Sequence, residues 1–291
     1  MINLLILILI IIGALILENI HEIKEFRVIN YEVQTRKLPS SMKAVKIAVL
    51  SDLHNKVYGK CNEKLLTKIK EQNPDIIIIA GDMFTAKEGL SYNVAIKFMQ
   101  ELVHIATVYY GNGNHEQRMK LHPERYTMNY EEYKCKLQDL GVIFLENETI
   151  ELNIHQAEIL LSAIEIPEQY YQKRCYQKLT VEEMNMVLKH KTDQYHLLIA
   201  HNPVHAQTYV QWGADLIFSG HLHGGIIRIP FLCGVVTPQM NIFPKYSGGL
   251  YKIKESYAVV SKGLGEHTVK LRLFNYPEVV MVHLTGVNLK T

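Results

Sequence analysis

The chain has 291 residues, 48% of them hydrophobic and 21% charged, a balance that fits a packed core and excludes a wholly disordered chain. Its net charge of +2, with no basic run interleaved with aromatics, argues against long nucleic acids as partners. Four cysteines (Cys61, Cys135, Cys175, Cys233) include no C-x-x-C pair, which argues against a cysteine zinc site and leaves buried thiols as the expectation.

From Ile2 to Leu17 the chain is apolar apart from Asn3 and the small pair Gly13-Ala14. A helix of that length spans about 24 Å, against a hydrocarbon core of roughly 30 Å, a gap that flanking residues and local thinning close. No Lys or Arg precedes the run, and Leu17-Glu18-Asn19 makes a poor cleavage site. An uncleaved membrane anchor is therefore expected over a cleaved signal or a buried core helix. Lys24, Arg27, Arg36 and Lys37 follow the run, a weak bias that leaves the side of the membrane open. The expected division is an anchor helix at 1–18, a juxtamembrane segment with an edge strand at 19–43, and one domain at 44–288.

Ile29, Tyr31 and Val33 alternate with polar residues, the period of a half-buried edge strand. Val45 to Leu50 reads as a strand that runs into Ser51-Asp52-Leu53-His54. Leu65, Leu66 and Ile69 mark a short helix stopped at Asn73-Pro74. Ile76 to Ala80 is a continuous apolar run, as for a strand covered on both faces, and it ends in Gly81-Asp82. A helix over residues 94–103 and a strand from Ala106 to Tyr110 lead to Gly111-Asn112-Gly113-Asn114-His115-Glu116. Further on, residues 125–140 read as a helix, Val142 to Leu145 and Ile159 to Ile164 as strands, and Val181 to Leu188 as a helix. The strand Tyr195 to Ala200 delivers His201-Asn202-Pro203, and a short helix runs from Val204 to Trp212. Ala214 to Ser219 then delivers Gly220-His221-Leu222-His223-Gly224-Gly225. Residues 230–256 are rich in Gly and Pro and read as an ordered loop. Tyr257 to Val260, Val269 to Phe274 and Val279 to Leu284 read as strands.

Asp52, His54, Asp82, Asn114, His201, His221 and His223 thus all follow the ends of five apolar strands. In open α/β sheets such carboxyl ends are where ligands bind. Oxygen and imidazole donors of this mix suit divalent Mn, Fe, Zn or Co better than Ca. Seven donors are too many for one ion, so the natural partition is two ions sharing Asp82. One takes Asp52, His54, Asp82 and His223; the other takes Asp82, Asn114, His201 and His221. A shared carboxylate fits the separation of about 3.5–4 Å usual in two-metal hydrolytic sites.

Asp52-x-His54, Gly81-Asp82, Gly113-Asn114-His115-Glu116, His201 and Gly220-His221-x-His223 stand in the order found in the calcineurin-like metallophosphoesterase superfamily, which residues 44–288 resemble. Further residues resemble its bacterial membrane-tethered phosphodiesterase branch: Gly224-Gly225, Arg228-Ile229-Pro230, Pro238, Phe243-Pro244-Lys245-Tyr246, Gly249-Leu250-Tyr251, Gly263-Leu264-Gly265, Arg272 and Pro277-Glu278. That branch is similar to enzymes that cleave the pyrophosphate of UDP-diacylglucosamine. The resemblance implies an α/β fold, a two-sheet β-sandwich flanked by helices, here with an N-terminal transmembrane helix. It also implies two divalent ions, a hydroxide bridging them as nucleophile, and His115 as general acid. A contact from Glu116 to His115 would raise the pKa of that ring. Two positions depart from the family's pattern: Thr85 stands where an acidic residue often orients the catalytic histidine, and Ile226 where Gln is frequent. Arg228 is a candidate grip on a second phosphate, against the plainer reading of a surface arginine.

The expected function is a membrane-anchored metal-dependent phosphodiesterase or pyrophosphatase whose phosphoester substrate is lipid-linked or nucleotide-linked. A phosphomonoesterase or nuclease, and a non-catalytic membrane-tethered metal-binding protein, stand as alternatives.

Overall fold

The computed structural model describes residues 2–172, 177–188, 193–225, 228, 244–266 and 271–287. Helix α1 (Ile2–Lys24) and strand β1 (Arg27–Thr35) come first. There follow β2 (Val45–Leu50), α2 (Glu63–Gln72), β3 (Ile76–Ala80), α3 (Asn93–Leu102), β4 (Thr107–Gly111), α4 (Asn114–Leu121), α5 (Tyr130–Asp139) and β5 (Ile143–Leu145). The later part of the chain holds β6 (Glu148–Ile154), β7 (Ala157–Ile164), α6 (Val181–Val187), β8 (Tyr195–Ala200), α7 (Ala206–Trp212), β9 (Leu216–Ser219), β10 (Gly249–Ile253), β11 (Ser256–Val260) and β12 (Glu278–Gly286).

Two six-stranded mixed sheets result, in the orders β1-β12-β2-β3-β4-β5 and β10-β11-β9-β8-β7-β6. The period-two alternation of each strand sorts its side chains between layers. On β3, Ile77 and Ile79 pack under α2, α3 and α5, while Ile76, Ile78 and Ala80 face the second sheet. Leu197 and Ile199 of β8 and Leu216 and Phe218 of β9 meet them from the other side. A third cluster seals the second sheet under α6 and α7, through Met184, Tyr209 and Trp212. Full burial of one such aliphatic contributes roughly 1.5–3 kcal/mol, so the apolar runs explain why these strands sit at the centre.

The sheets match the two-sheet expectation, and β1 is an edge strand, parallel to β12 from Arg27 opposite Glu278 to Thr35 opposite Gly286. Helix α1 is long and apolar enough to cross a membrane, and the large aliphatics from Ile2 to Leu17, Leu15 apart, are exposed on it.

Several expectations are corrected. Strand β6 was not foreseen, and it pairs with β7 to close an edge of the second sheet. Residues 249–253, read as part of a loop, form β10, because Tyr251 and its neighbours pair with β11. Residues 271–274 are not the end of a strand, since Arg272 turns its side chain inward and gives its N–H to Asn19 of α1. Cys61 and Cys135 are exposed rather than buried, one on a turn before α2 and the other on the outer face of α5. Cys175, Cys233, Ile226, Pro238 and the remainder of 229–243 lie outside the described residues.

Candidate metal centre

Strands β2, β3 and β4 of the first sheet and β8 and β9 of the second point their carboxyl ends at one rim. Asp52, His54, Asp82, His201, His221 and His223 come from the loops at that rim and His115 from the first turn of α4, and the structure brings these seven together; Asn114 opens the same helix, next to Gly113, whose backbone lies against Asp82. Three groups form, each with ligand atoms within 4.8 Å of one another: Asp52, His54 and His223; Asp82, His201 and His221; and His54, Asp82 and His115. Asp82 Oδ2 stands 3.0 Å from His201 Nε2 and 3.9 Å from His54 Nε2, so one oxygen reaches both halves. Asp52 Oδ1 lies 3.3 Å from His223 Nε2 and 3.8 Å from both His54 Nε2 and His201 Nε2.

The local sequence makes this crowding feasible. A Cβ on Gly220 would collide with the Asp52 carboxylate, and one on Gly113 with that of Asp82. The backbone bends sharply: Asp52 (φ 51°), His54 (47°), Asp82 (57°), His221 (67°) and His223 (49°) are all left-handed. Each such residue costs on the order of 1–3 kcal/mol and persists only where its surroundings over-determine it. Backbone donors supply part of that determination. His221 N–H donates to both oxygens of Asp52 at 3.1 Å, and His115 N–H donates to Asp82 Oδ1 at 2.8 Å.

Neighbours also set the ring tautomers. His201 Nδ1 lies 2.5 Å from the carbonyl of Ala80, so Nδ1–H donates there and Nε2 faces Asp82. His54 Nδ1 meets Thr85 Oγ1 at 3.2 Å, which leaves its Nε2 toward Asp52 and His223. Ala86 N–H donates to His115 Nδ1 at 2.9 Å, so that ring in its neutral form carries its proton on Nε2.

Burial pushes both carboxylates up, but His223 and His201 beside Asp52, and His201 and His115 beside Asp82, overcome it and hold both low. Burial also holds His54 and His221 well below the ordinary histidine value, so those rings are neutral. His201 behaves oppositely: burial opposes its charge, yet Asp82 and Asp52 drive it up to about 10. Two ionised carboxylates under cover thus call for positive charge, which a proton on His201 or a bound cation supplies. The rings of His54 and His221 are already neutral, the form in which imidazole binds metal.

The spacing fits as well. Two donors at about 2.0–2.1 Å from one cation and at right angles stand about 3 Å apart. His54 Nε2 and His223 Nε2 are 3.1 Å apart, a spacing natural for neighbouring ligands. Asn114 Oδ1 and His221 Nε2 are buried with no hydrogen-bond partner among the described residues, and a cation would satisfy both. The donor set therefore fits divalent metal.

Residues 45–225 match the model of the calcineurin-like phosphoesterase family. The chain belongs to that family.

Calcineurin-like phosphoesterases are metal-dependent phosphoester hydrolases, typically with two metal ions. This one is similar to an uncharacterised metallophosphoesterase of Aquifex aeolicus, 26% identical over 89% of this chain and 92% of the relative. It is also similar to a zebrafish (Danio rerio) transmembrane protein with a metallophosphoesterase domain, 25% identical over 89% of this chain and 57% of that protein. A third relative is the phosphodiesterase YaeI of Escherichia coli, 24% identical over 82% of each chain. These relatives fit the membrane-tethered phosphodiesterase branch that the C-terminal motifs resemble.

One residue of this phosphoesterase behaves differently from the sequence reading. Glu116 does not contact His115. It accepts from the N–H groups of Asp82, Met83 and Gly113 and from Tyr110 Oη, and so ties the loops after β3 and β4 together. Without that contact, burial holds the His115 ring below its ordinary value. Arg228 spends one terminal nitrogen on the carbonyl of Gly224 at 3.1 Å. Tyr171 was missed, and its ring stands edge-on to His221 at 5.0 Å. An aromatic in a polar stretch gave no local signal, because the approach comes from packing of the second sheet's loops.

Proposed function

We propose that this chain is a two-metal phosphodiesterase or pyrophosphatase, anchored to a membrane by residues 1–18, with residues 44–288 as its catalytic domain. The observation that carries the reading is that oxygen and imidazole donors from five strand ends meet at ligand spacing around Asp82 Oδ2. In this reading Asp52, His54, Asp82 and His223 hold one ion, and Asp82, Asn114, His201 and His221 hold the other. Manganese, iron, zinc and cobalt all suit these donors.

Bound divalent ions supply a water acidic enough to be nucleophilic near neutral pH, together with positive charge beside the phosphate oxygens. The chain's own residues do the rest. Asp82 faces both halves with one oxygen, which keeps the two groups at fixed separation. His201 and His54 keep their Nε2 atoms inward because Ala80 and Thr85 occupy their Nδ1 atoms. His115 takes the general acid's place: its neutral ring offers Nε2–H to the leaving oxygen and stabilises the charge that grows there, a role worth about 10²–10⁴-fold. Thr85, standing where the family often has an acid, bonds His54 instead, and the Ala86 amide takes over the orientation of His115.

The anchor supports a lipid-linked or nucleotide-linked phosphoester as substrate, since a site held near a bilayer meets such groups at raised effective concentration. The purified protein should hydrolyse bis-p-nitrophenyl phosphate with Mn²⁺ and do so faster than the monoester. A preference for the monoester would overturn the diesterase reading in favour of a phosphomonoesterase. Absence of turnover on both, with metal bound, would favour a binding protein.

A further inference from the structure

The loop that carries His223 is left-handed for three residues in succession: His223 (φ 49°), Gly224 (φ 73°) and Gly225 (φ 83°). Its carbonyls need donors, and a single side chain meets two of them. Asn275 Nδ2 donates to the His223 carbonyl at 2.7 Å and to the Gly225 carbonyl at 2.6 Å, spending both amide hydrogens. Gly224 sits so close that a Cβ there would strike Asn275 Oδ1. The backbone of Asn275 is held in turn from α1, where Glu22 accepts its N–H at 3.0 Å and Asn19 accepts that of Arg272 at 2.8 Å. Glu22 is fully buried despite lying near the end of an otherwise exposed apolar helix.

Arg272 extends the same assembly to the other ligand loop. Its buried guanidinium donates to the carbonyls of Asn275, Lys262 and Gly265 at 3.1, 2.9 and 2.6 Å. The N–H groups of Leu264 and Gly265 then reach back to the carbonyls of Ser51 and Asp52. A guanidinium whose partners are carbonyls rather than a carboxylate acts as a clamp on backbone, since it fixes several segments without neutralising a charge.

We propose that Asn275 is a positioning residue for His223, and that the C-terminal turns of α1, through Glu22 and Asn19, hold Asn275 in place. The helix that reaches toward the membrane thereby forms part of the support of the metal centre. This rests on the reading of His223 as a ligand. Groups that orient ligands typically change metal affinity 10–100-fold when removed.

The test is Mn²⁺ binding by full-length protein in detergent, measured by equilibrium dialysis, with a thermal melt of each variant. Asn275→Asp keeps the shape but removes both donated hydrogens, and should weaken Mn²⁺ binding by about tenfold or more. Glu22→Ala should weaken it about fivefold, the size of one lost hydrogen bond, whereas Glu22→Gln keeps an acceptor and should bind within twofold of the wild type. Should Asn275→Asp fail to fold, the two Glu22 variants decide the matter: loss in Ala with retention in Gln supports the proposal, and equal affinities overturn it. A wild-type chain that takes up no Mn²⁺ overturns the metal-centre reading and this proposal together. A wild type that binds, with folded variants that bind equally well, overturns this proposal alone.

Discussion

Strand β8 buries a histidine at each end. At its start His196 is fully covered, with Nε2 2.6 Å from Ser162 Oγ of the neighbouring strand and its N–H given to Asp215. Just past its other end His201 is 1% exposed, with Nε2 3.0 Å from Asp82 and 3.8 Å from Asp52. Burial is the same, so burial does not mark a ligand. The company does: one imidazole finds a neutral hydroxyl within its own sheet, and the other faces two carboxylates delivered by the opposite sheet. A buried charge needs a partner of opposite sign, and the rim gathers more negative charge than its rings can balance without taking a proton.

The largest effect should come from removing the shared carboxylate. Asp82→Asn is expected to lower phosphodiester turnover by about 10³-fold or more, with loss of tightly bound metal by elemental analysis. Turnover and metal content like those of the wild type would break the contrast at its centre. His115→Ala sharpens it, because this ring touches the rim without being assigned as a ligand. Its loss should reduce hydrolysis of a poor-leaving-group ester by about 10²-fold and leave a p-nitrophenyl ester much less affected. Equal losses on the two esters would mean His115 is not the proton donor.

His196→Ala is the converse case. It should cost about 1–3 kcal/mol in stability by chemical melt, from the lost Ser162 hydrogen bond and the gap left beside Trp212, and leave Mn²⁺ affinity unchanged. A change in metal affinity with no change in stability would show that the two ends of the strand are not separate.

The smallest effect belongs to His205, buried against Tyr170 and Tyr209 one turn beyond His201, with Leu179 N–H donating to its Nδ1 at 3.3 Å. Burial pulls this ring down to about 4, only partly opposed by Glu183. The folded chain therefore favours the neutral ring, while the unfolded chain takes up a proton near pH 6.5. Its contribution is intact above pH 6.5 and is lost as pH falls from there toward 4. His205→Gln should flatten that part of the stability profile, and an unchanged slope would exclude the ring as its source.

The rim was legible in the sequence because its candidate ligands follow apolar runs, and a run such as Ile76 to Ala80 has few other uses than a covered strand. What stayed hidden depends on contacts distant in sequence. Helix α4 carries Asn-His-Glu-Gln-Arg-Met-Lys-Leu, with no apolar stripe to betray a helix, and it forms because Glu116 closes its first turn. Strand β6 lies at an edge, where one face meets solvent and the apolar signal is diluted. Asn275 gives no local sign of its role, since its partners lie about fifty residues earlier and at the start of the chain.

The pairing of β1 with β12 bears on how the chain is made. β1 is an edge strand, and its neighbour is built from residues 278–286. At about 5–20 residues per second, the ribosome leaves the first strand without that neighbour for roughly ten to fifty seconds. Throughout that interval β2 also lacks its antiparallel partner, so the leading sheet closes only when synthesis is nearly finished. A nascent chain of this design presents bare strand edges until the last strand arrives, the state in which unpaired edges are open to wrong pairing.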